Sequence, residues 1–254
     1  MNTLIASNNI TKSYGLGDEK RHILDGVSVG IHQGEFVAVM GPSGSGKSTL
    51  MFALSGMDRV DDGKVTFDGV EISQLKENEL ADLRRTKMGF IFQQPTLLKN
   101  LNILDNIVLP AMRNDSKNAA KITEKAKKLM HQTGIAGLEK RDITQASGGQ
   151  LQRVGICRAL MNEPKIIFGD EPTGALNSTS ASEIMDLLGD IHQTGTTILL
   201  VTHDVKVAAK AERVLYLLDG KITGEYKPVT NGKTVTDLKA REEGLTAWLA
   251  EMKF

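Results

Sequence analysis

A short apolar run, Phe36–Met40, passes directly into Gly41-Pro42-Ser43-Gly44-Ser45-Gly46-Lys47-Ser48-Thr49, and that segment leads into Leu50, Met51 and Leu54 at helical spacing. Few arrangements restrict a fold so tightly. An unbroken apolar pentad suits a parallel strand covered on both faces, whereas a half-solvated strand would alternate. The glycines let the backbone curl with its N–H groups inward, and the start of a helix adds partial positive charge. Strand, loop G-x-x-x-x-G-K-[ST] and helix in that order form a cradle for the phosphates of a nucleoside triphosphate. Lys47 is expected to reach the β- and γ-phosphates and the Ser48 hydroxyl to ligate Mg²⁺.

A second apolar strand, Ile166–Phe168, runs through Gly169 into the acids Asp170 and Glu171. Successive strand residues point to opposite faces, so the two carboxylates need not share a task. Asp170 suits the metal, through water, and Glu171 suits polarising the water that attacks the γ-phosphate. A third apolar run, Ile198–Val201, ends near His203. In the segment after Asn177, Ile184, Leu187, Leu188 and Ile191 make one helical stripe. Strands alternating with helices argue an α/β core.

Around that core the patterns differ. Val65, Phe67, Val70 and Ile72 flank Asp68-Gly69, a hairpin cue, and Asn9–Ile31 reads as short strands, so an antiparallel β subdomain is expected. Pro95–Met161 reads as mainly helical, with Ala119, Ile122, Ala126, Leu129 and Met130 on one face. After Lys227, Pro228, Asn231 and Gly232 mark a loop. Asp237 then caps a helix carrying Leu238, Leu245, Trp248, Leu249 and Met252, which Gly244 should weaken. The expected layout is one nucleotide-handling domain over 1–227, its helical subdomain at about 95–161, and an amphipathic extension over 228–254.

Composition narrows the partners. Lysine plus arginine equal aspartate plus glutamate at 31 each, so no net field draws the chain to nucleic acid or anionic lipid. A single cysteine, Cys157, excludes an internal disulfide and fits a reducing compartment. No apolar run is long enough to span a bilayer, and Met1–Ser7 lacks a secretory pattern, so service to a membrane requires spanning helices from another chain.

Ser147-Gly148-Gly149-Gln150, followed by Leu151-Gln152-Arg153, precedes a helix striped by Val154, Cys157 and Leu160, and so forms a second helix N-terminus able to meet phosphate. This resembles the LSGGQ signature of ABC-type ATPases, and the other family elements fall in order from Leu4 to Tyr226. The resemblance implies a P-loop NTPase with a RecA-like parallel-sheet core that uses ATP and Mg²⁺. It assigns Tyr14 to adenine stacking; Gly41, Pro42, Ser43, Gly44, Ser45, Gly46, Lys47, Ser48 and Thr49 to the triphosphate; and Gln93 to the Q-loop. Ser48, Gln93 and Asp170 fall to the metal, and Glu171 and His203 to catalysis. Ser147, Gly148, Gly149 and Gln150 would face the ATP of a partner subunit, so ATP holds two copies head to tail, and a homodimer is the simplest closure. Two positions depart from the family: Ala146, where a larger apolar residue is usual, and Asn177, where aspartate is usual.

Family members acting on DNA or ribosomes are the competing reading, and neutral charge with a single cassette disfavours it. The phrases Gly89-Phe90-Ile91-Phe92-Gln93 and Asp170–Ser178 resemble the branch of lipoprotein-release, macrolide-export and peptide-antibiotic (bacitracin-type) resistance cassettes. That resemblance implies a subunit on the cytoplasmic face of the membrane, driving an FtsX/MacB-like permease in peptide resistance or export. Pro95, Thr96, Leu97 and Leu98, with Ile103, Ile107 and Leu109, are the expected groove for the permease, and each is equally suited to subdomain core.

Overall fold

The computed structural model describes residues 2–15, 20–230, 233–234 and 236–252. The chain runs through β1 (Thr3–Tyr14), β2 (Arg21–His32), β3 (Phe36–Met40), α1 (Lys47–Leu54), β4 (Asp62–Phe67), β5 (Val70–Glu71) and α2 (Glu77–Lys87). It continues with β6 (Met88–Phe92), α3 (Ile103–Asn114), α4 (Ala119–Gln132), α5 (Gly148–Leu160), β7 (Ile166–Asp170) and α6 (Ser178–Gln193). It closes with β8 (Thr197–Val201), α7 (Val205–Ala208), β9 (Arg213–Leu218), β10 (Lys221–Tyr226), β11 (Val229–Thr230), β12 (Lys233–Thr234) and α8 (Leu238–Glu251). These elements fall into two compact units, Met1–Leu80 with Thr197–Phe254, and Ala81–Thr196.

The first unit holds an antiparallel sheet in the order β2-β1-β4-β5 and a mixed sheet segment in the order β10-β9-β3-β8. Every residue of β3 and β8 is buried, which is why both read as apolar runs rather than alternating ones. The stretch expected as short strands is instead two strands of 12 residues each. The pairing of β1 with β2 shifts register between Ser7 and Ile10 and again between Ile10 and Lys12. Asn9 takes φ 50 at the first of these irregularities. A strand that continues through bulges loses its two-residue rhythm, so its sequence looks like fragments. The hairpin is as expected: Phe67 pairs with Val70 across Asp68 (φ 51) and Gly69 (φ 80). Ile72, expected in the second hairpin strand, instead opens a 3₁₀ turn and is buried there.

In the second unit β6 and β7 pair in parallel, and β7 runs on to Asp170. Helices α3, α4 and α5 close over Ile103, Ile107, Met130, Val154 and Cys157, with Ile122 and Leu129 packed at the margin. Burial pushes the Cys157 thiol up to about 11, so it stays protonated and acts as a small core residue. The buried side chain of Asn106 closes the loop that precedes α3. Its Nδ2 donates to the carbonyls of Leu98, Leu101 and Asn102 at 3.1, 3.1 and 3.0 Å, and its Oδ1 accepts from the Leu98 N–H at 2.7 Å. No apolar pattern announces α2. Its sequence signal is charge: Glu77 and Glu79 in the first turn, Arg84, Arg85 and Lys87 in the last, complementing the helix dipole.

Helix α8 begins at Asp237, whose side chain accepts from the Ala240 N–H. Leu245 and Leu249 are buried, while Leu238, one of the apolar residues expected on this amphipathic helix, is exposed. Trp248 meets Tyr216 edge-on at 6.2 Å between ring centroids and lies 5.5 Å from Tyr226. Gly244, a poor helix former, is explained by this packing: a Cβ there would stand 2.6 Å from the Tyr226 hydroxyl oxygen.

Gly244→Ala should therefore lower stability by about 1–2 kcal/mol in denaturant titration, despite alanine's better helix propensity. Adding Tyr226→Phe should restore most of the loss. Asn106→Ala should cost about 2–3 kcal/mol, because buried backbone groups lose their partner. Hydrogen exchange at the Leu98 amide should accelerate in that variant.

Candidate functional site

In the first unit, β3 ends inside the core and the chain must turn at once into α1. Gly41 lies at φ 153, where a Cβ would stand 2.0 Å from the Leu217 carbonyl oxygen of β9. Gly46 lies at φ 102, with the Ile23 carbonyl 2.8 Å from the same imaginary atom. No other residue fits at either position without moving backbone. The Lys47 ammonium, nearly buried, donates to the Gly41 and Pro42 carbonyls at 2.9 Å each. The Ser45 hydroxyl is also buried and has no hydrogen-bond partner among the described residues. An unpartnered donor in a wrapped backbone loop suits an anion acceptor.

His203 lies two residues beyond the end of β8. Because β3 and β8 run parallel with Val39 opposite Val201, the glycine loop and His203 leave neighbouring strands at the same, carboxyl end. That end is where ligands bind in open α/β sheets.

Tyr14 stands at the end of β1 with 44 % of its surface exposed. Its hydroxyl donates to the Asp58 carboxylate. Lys12, two residues earlier and so on the same strand face, lies with its ammonium 5.1 Å from the ring centroid. The same ammonium bonds Asp58 and the Arg59 carbonyl at 2.6 Å each. Burial, then the Asp58 contact, raises the Tyr14 phenol above its ordinary value, while the Thr49 side chain acts the other way. Burial alone would raise the Asp58 carboxyl, but the hydrogen bonds from Lys12 and Tyr14 outweigh it and hold the group low.

In the second unit, Phe92 of β6 is paired with Asp170 of β7, so Gln93 and Glu171 follow at adjacent strand ends. Both side chains converge on Gly174. A Cβ built there would lie 2.8 Å from Gln93 Nε2 and 3.3 Å from Glu171 Oε2. Gln152 braces this end of β6, its amide donating to the Phe92 carbonyl at 3.0 Å. Glu171 takes φ 46, a left-handed conformation that costs a side-chain-bearing residue about 1–2 kcal/mol. Such outliers persist where surrounding structure imposes them, most often at functional positions.

Ser147 caps α5 in a reciprocal box: its hydroxyl accepts from the Gln150 N–H, and the Gln150 side chain accepts from the Ser147 N–H. Gly148 and Gly149 form the first turn, close to Leu176 and Ser180 respectively. The start of α6 thus lies beside the start of α5. Asn177 caps α6 by accepting the Ser180 N–H at 2.9 Å, the bond an aspartate would also make. Ala146 packs against the helical core from its margin. Of the expected permease groove, Ile103 and Ile107 are fully buried core, Leu97 is partly buried, and Leu98 and Leu109 are exposed at 45 % and 44 %.

Sequence reading did not find Lys12, Asp58, Asn106, Gln152 or Gly174. Lys12, Asp58, Gln152 and Gly174 act through partners distant in the chain. Asn106 acts on backbone groups four to eight residues away, and its polar character inside an apolar-striped helix was the one readable signal. Among the described residues, no three His, Cys, Asp or Glu side chains gather as a metal-binding cluster, and no helix is long and apolar enough to cross a membrane.

The ABC transporter family model matches residues 24–174. The chain is 43% identical over 223 residues to the macrolide export ATP-binding/permease protein MacB of Neisseria meningitidis, covering 88% of this chain and 34% of that protein. It is 41% identical over 251 residues to MacB of Pasteurella multocida, covering 99% and 38%. The chain therefore spans little more than a third of the length of these relatives. Among solved structures, the ATP-binding cassette MJ0796, determined as a dimer in a post-hydrolysis state bound to ADP and Pi, superposes with a TM-score of 0.83 at 38% identity. That match covers 89% of this chain and all of MJ0796. With the glycine cradle, the acidic strand end and the capped signature helix in place, the chain belongs to the ABC transporter family and is an ATP-binding, ATP-hydrolysing cassette.

Proposed function

We propose that this cassette dimerises around two ATP molecules and drives an FtsX/MacB-like permease, supplied outside the residues described here, in resistance to or export of antimicrobial peptides. The observation carrying the catalytic part is the strained Glu171 directly after Asp170, beside Gln93. In this reading the loop Gly41–Thr49 holds the triphosphate and Tyr14 takes the adenine. Ser147, Gly148, Gly149 and Gln150 meet the ATP of the second copy. Glu171 accepts the proton of the attacking water, and His203 contacts the γ-phosphate.

Mg²⁺ prefers a few hard oxygen ligands together with water and phosphate, rather than an all-protein cage. Ser48 in the first unit, and Asp170 and Gln93 in the second, each carry an oxygen of that kind. An ion bound with the nucleotide would neutralise charge on its phosphate oxygens. The Glu171 carboxylate orients water, and Lys47 exchanges its carbonyl partners for phosphate oxygens.

The permease part is supported by the relatives' names, which join an ATP-binding portion to a permease. It is further supported by two exposed leucines, Leu98 and Leu109, in the region that the family resemblance assigns to coupling. Such a subunit would sit peripherally on the cytoplasmic face of the membrane, held by the permease. The peptide-antibiotic assignment rests on the branch phrase Gly174-Ala175-Leu176-Asn177-Ser178 together with the amphipathic tail.

Glu171→Gln should lower ATP turnover by about 10²–10⁴-fold with ATP affinity nearly unchanged. The variant should accumulate as an ATP-bound dimer on a sizing column. Near-normal turnover would remove Glu171 from the role of base.

Leu98→Asp changes an exposed side chain and should leave folding and basal ATPase intact. It should abolish copurification with the permease from detergent-solubilised membranes, since an unpaired charge buried in an interface is costly. Cells carrying it should become more sensitive to cell-wall-targeting peptide antibiotics. Normal peptide sensitivity with defective macrolide export or lipoprotein release would reassign the substrate and keep the motor.

A further inference from the structure

We infer that Asp58 and Lys12 are positioning residues that lock the Tyr14 ring as the platform for a purine base and set its place relative to the phosphate cradle. The inference rests on the reading of Tyr14 as the base-stacking residue and extends it to groups that no motif marks.

An exposed tyrosine at a strand end has rotamer freedom, and a base that stacks on it must remove that freedom at some cost in affinity. Here the freedom is removed beforehand. The Lys12 ammonium, 5.1 Å from the ring centroid, occupies one face, an attractive arrangement for a cation over an aromatic ring. The hydroxyl is tethered to the Asp58 carboxylate. Lys12 bonds that carboxylate at 2.6 Å and the next carbonyl, that of Arg59, at 2.6 Å. Lysine, aspartate and tyrosine therefore form a closed triangle that leaves 44 % of the tyrosine exposed for a ligand. A stacked aromatic base is the partner such a ring suits, and stacking tolerates any purine.

The tether also carries positional information. Asp58 lies in the turn that ends α1, and its N–H bonds the Phe52 carbonyl of that helix at 3.1 Å. The opposite end of α1 opens at Lys47 in the cradle. The helix is thus a short spacer between the group that fixes the ring and the group that meets phosphate. The charges hold the arrangement in one direction: Asp58 stays ionised as acceptor and Tyr14 protonated as donor, the sense in which their titrations are displaced.

The test compares magnesium ATP with inorganic tripolyphosphate, which has the phosphates without the base, by calorimetry on the full chain. Asp58→Asn and Tyr14→Phe should each weaken ATP by about 5–20-fold and leave tripolyphosphate within about twofold. The double variant should be no weaker than either single one, because both remove the same tether. Tyr14→Phe alters one exposed hydroxyl and keeps the test open if Asp58→Asn folds poorly. Equal losses for both ligands, or an unchanged ATP affinity in both single variants, would overturn the positioning role. Tyr14→Ala separates the layers: if it too shows no ATP-selective loss, the platform itself is misassigned, whereas a selective loss beside silent Asp58 and Tyr14→Phe variants condemns only the tether.

Discussion

Lys47 donates to the carbonyls of Gly41 and Pro42, and so gathers the loop between β3 and α1 around its own ammonium. The same loop is fastened from outside. Gly41 approaches the Leu217 carbonyl too closely for any side chain, and the Gly220 N–H bonds the Ser45 carbonyl at 3.1 Å. A buried cation needs partners, and the backbone supplies them in a geometry that turns N–H groups inward. The path of β3, the start of α1 and the spacing to Asp58 and Tyr14 all follow from this one turn. It is a constraint of backbone against backbone, which explains why glycine and lysine, rather than any apolar pattern, mark it.

The second unit solves a different problem, that of aiming carboxylates and a helix end. Strand pairing does the first: Phe92 opposite Asp170 puts Gln93 and Glu171 at neighbouring strand ends. Capping does the second. The Ser147 hydroxyl accepts from the Gln150 N–H and the Gln150 side chain from the Ser147 N–H, which holds the first turn of α5 in place. Asn177 performs the same service for α6 through a neutral oxygen.

Legibility followed the range of the interactions involved. β3, β7 and β8 could be read because full burial imposes an unbroken apolar run, and the Asp68-Gly69 turn because positive φ at both positions selects those residues. The cradle, the acids and the signature were legible for the same local reason. β1 and β2 were read as fragments because bulges break the alternation, and α2 was missed because charge rather than apolar spacing organises it. Ile103 and Ile107 could not be told from surface-docking residues, since core and interface ask for the same side chains. Gly244 misled in the opposite sense: judged as a helix residue it is unfavourable, and only the Tyr226 hydroxyl, on a different element, justifies it. Asp58 carries no local signature at all, because its meaning lies in Lys12 and Tyr14.

Glu171 carries one more implication. At φ 46 the backbone there favours glycine or asparagine, and replacing glutamate with either would relieve local strain. A redesign that optimised folding free energy alone would replace this glutamate, as it would Glu163 at φ 50, and the sturdier protein would lack the group placed beside Gln93. Glutamate at such a position gives up backbone ease and keeps a carboxylate beside Gln93.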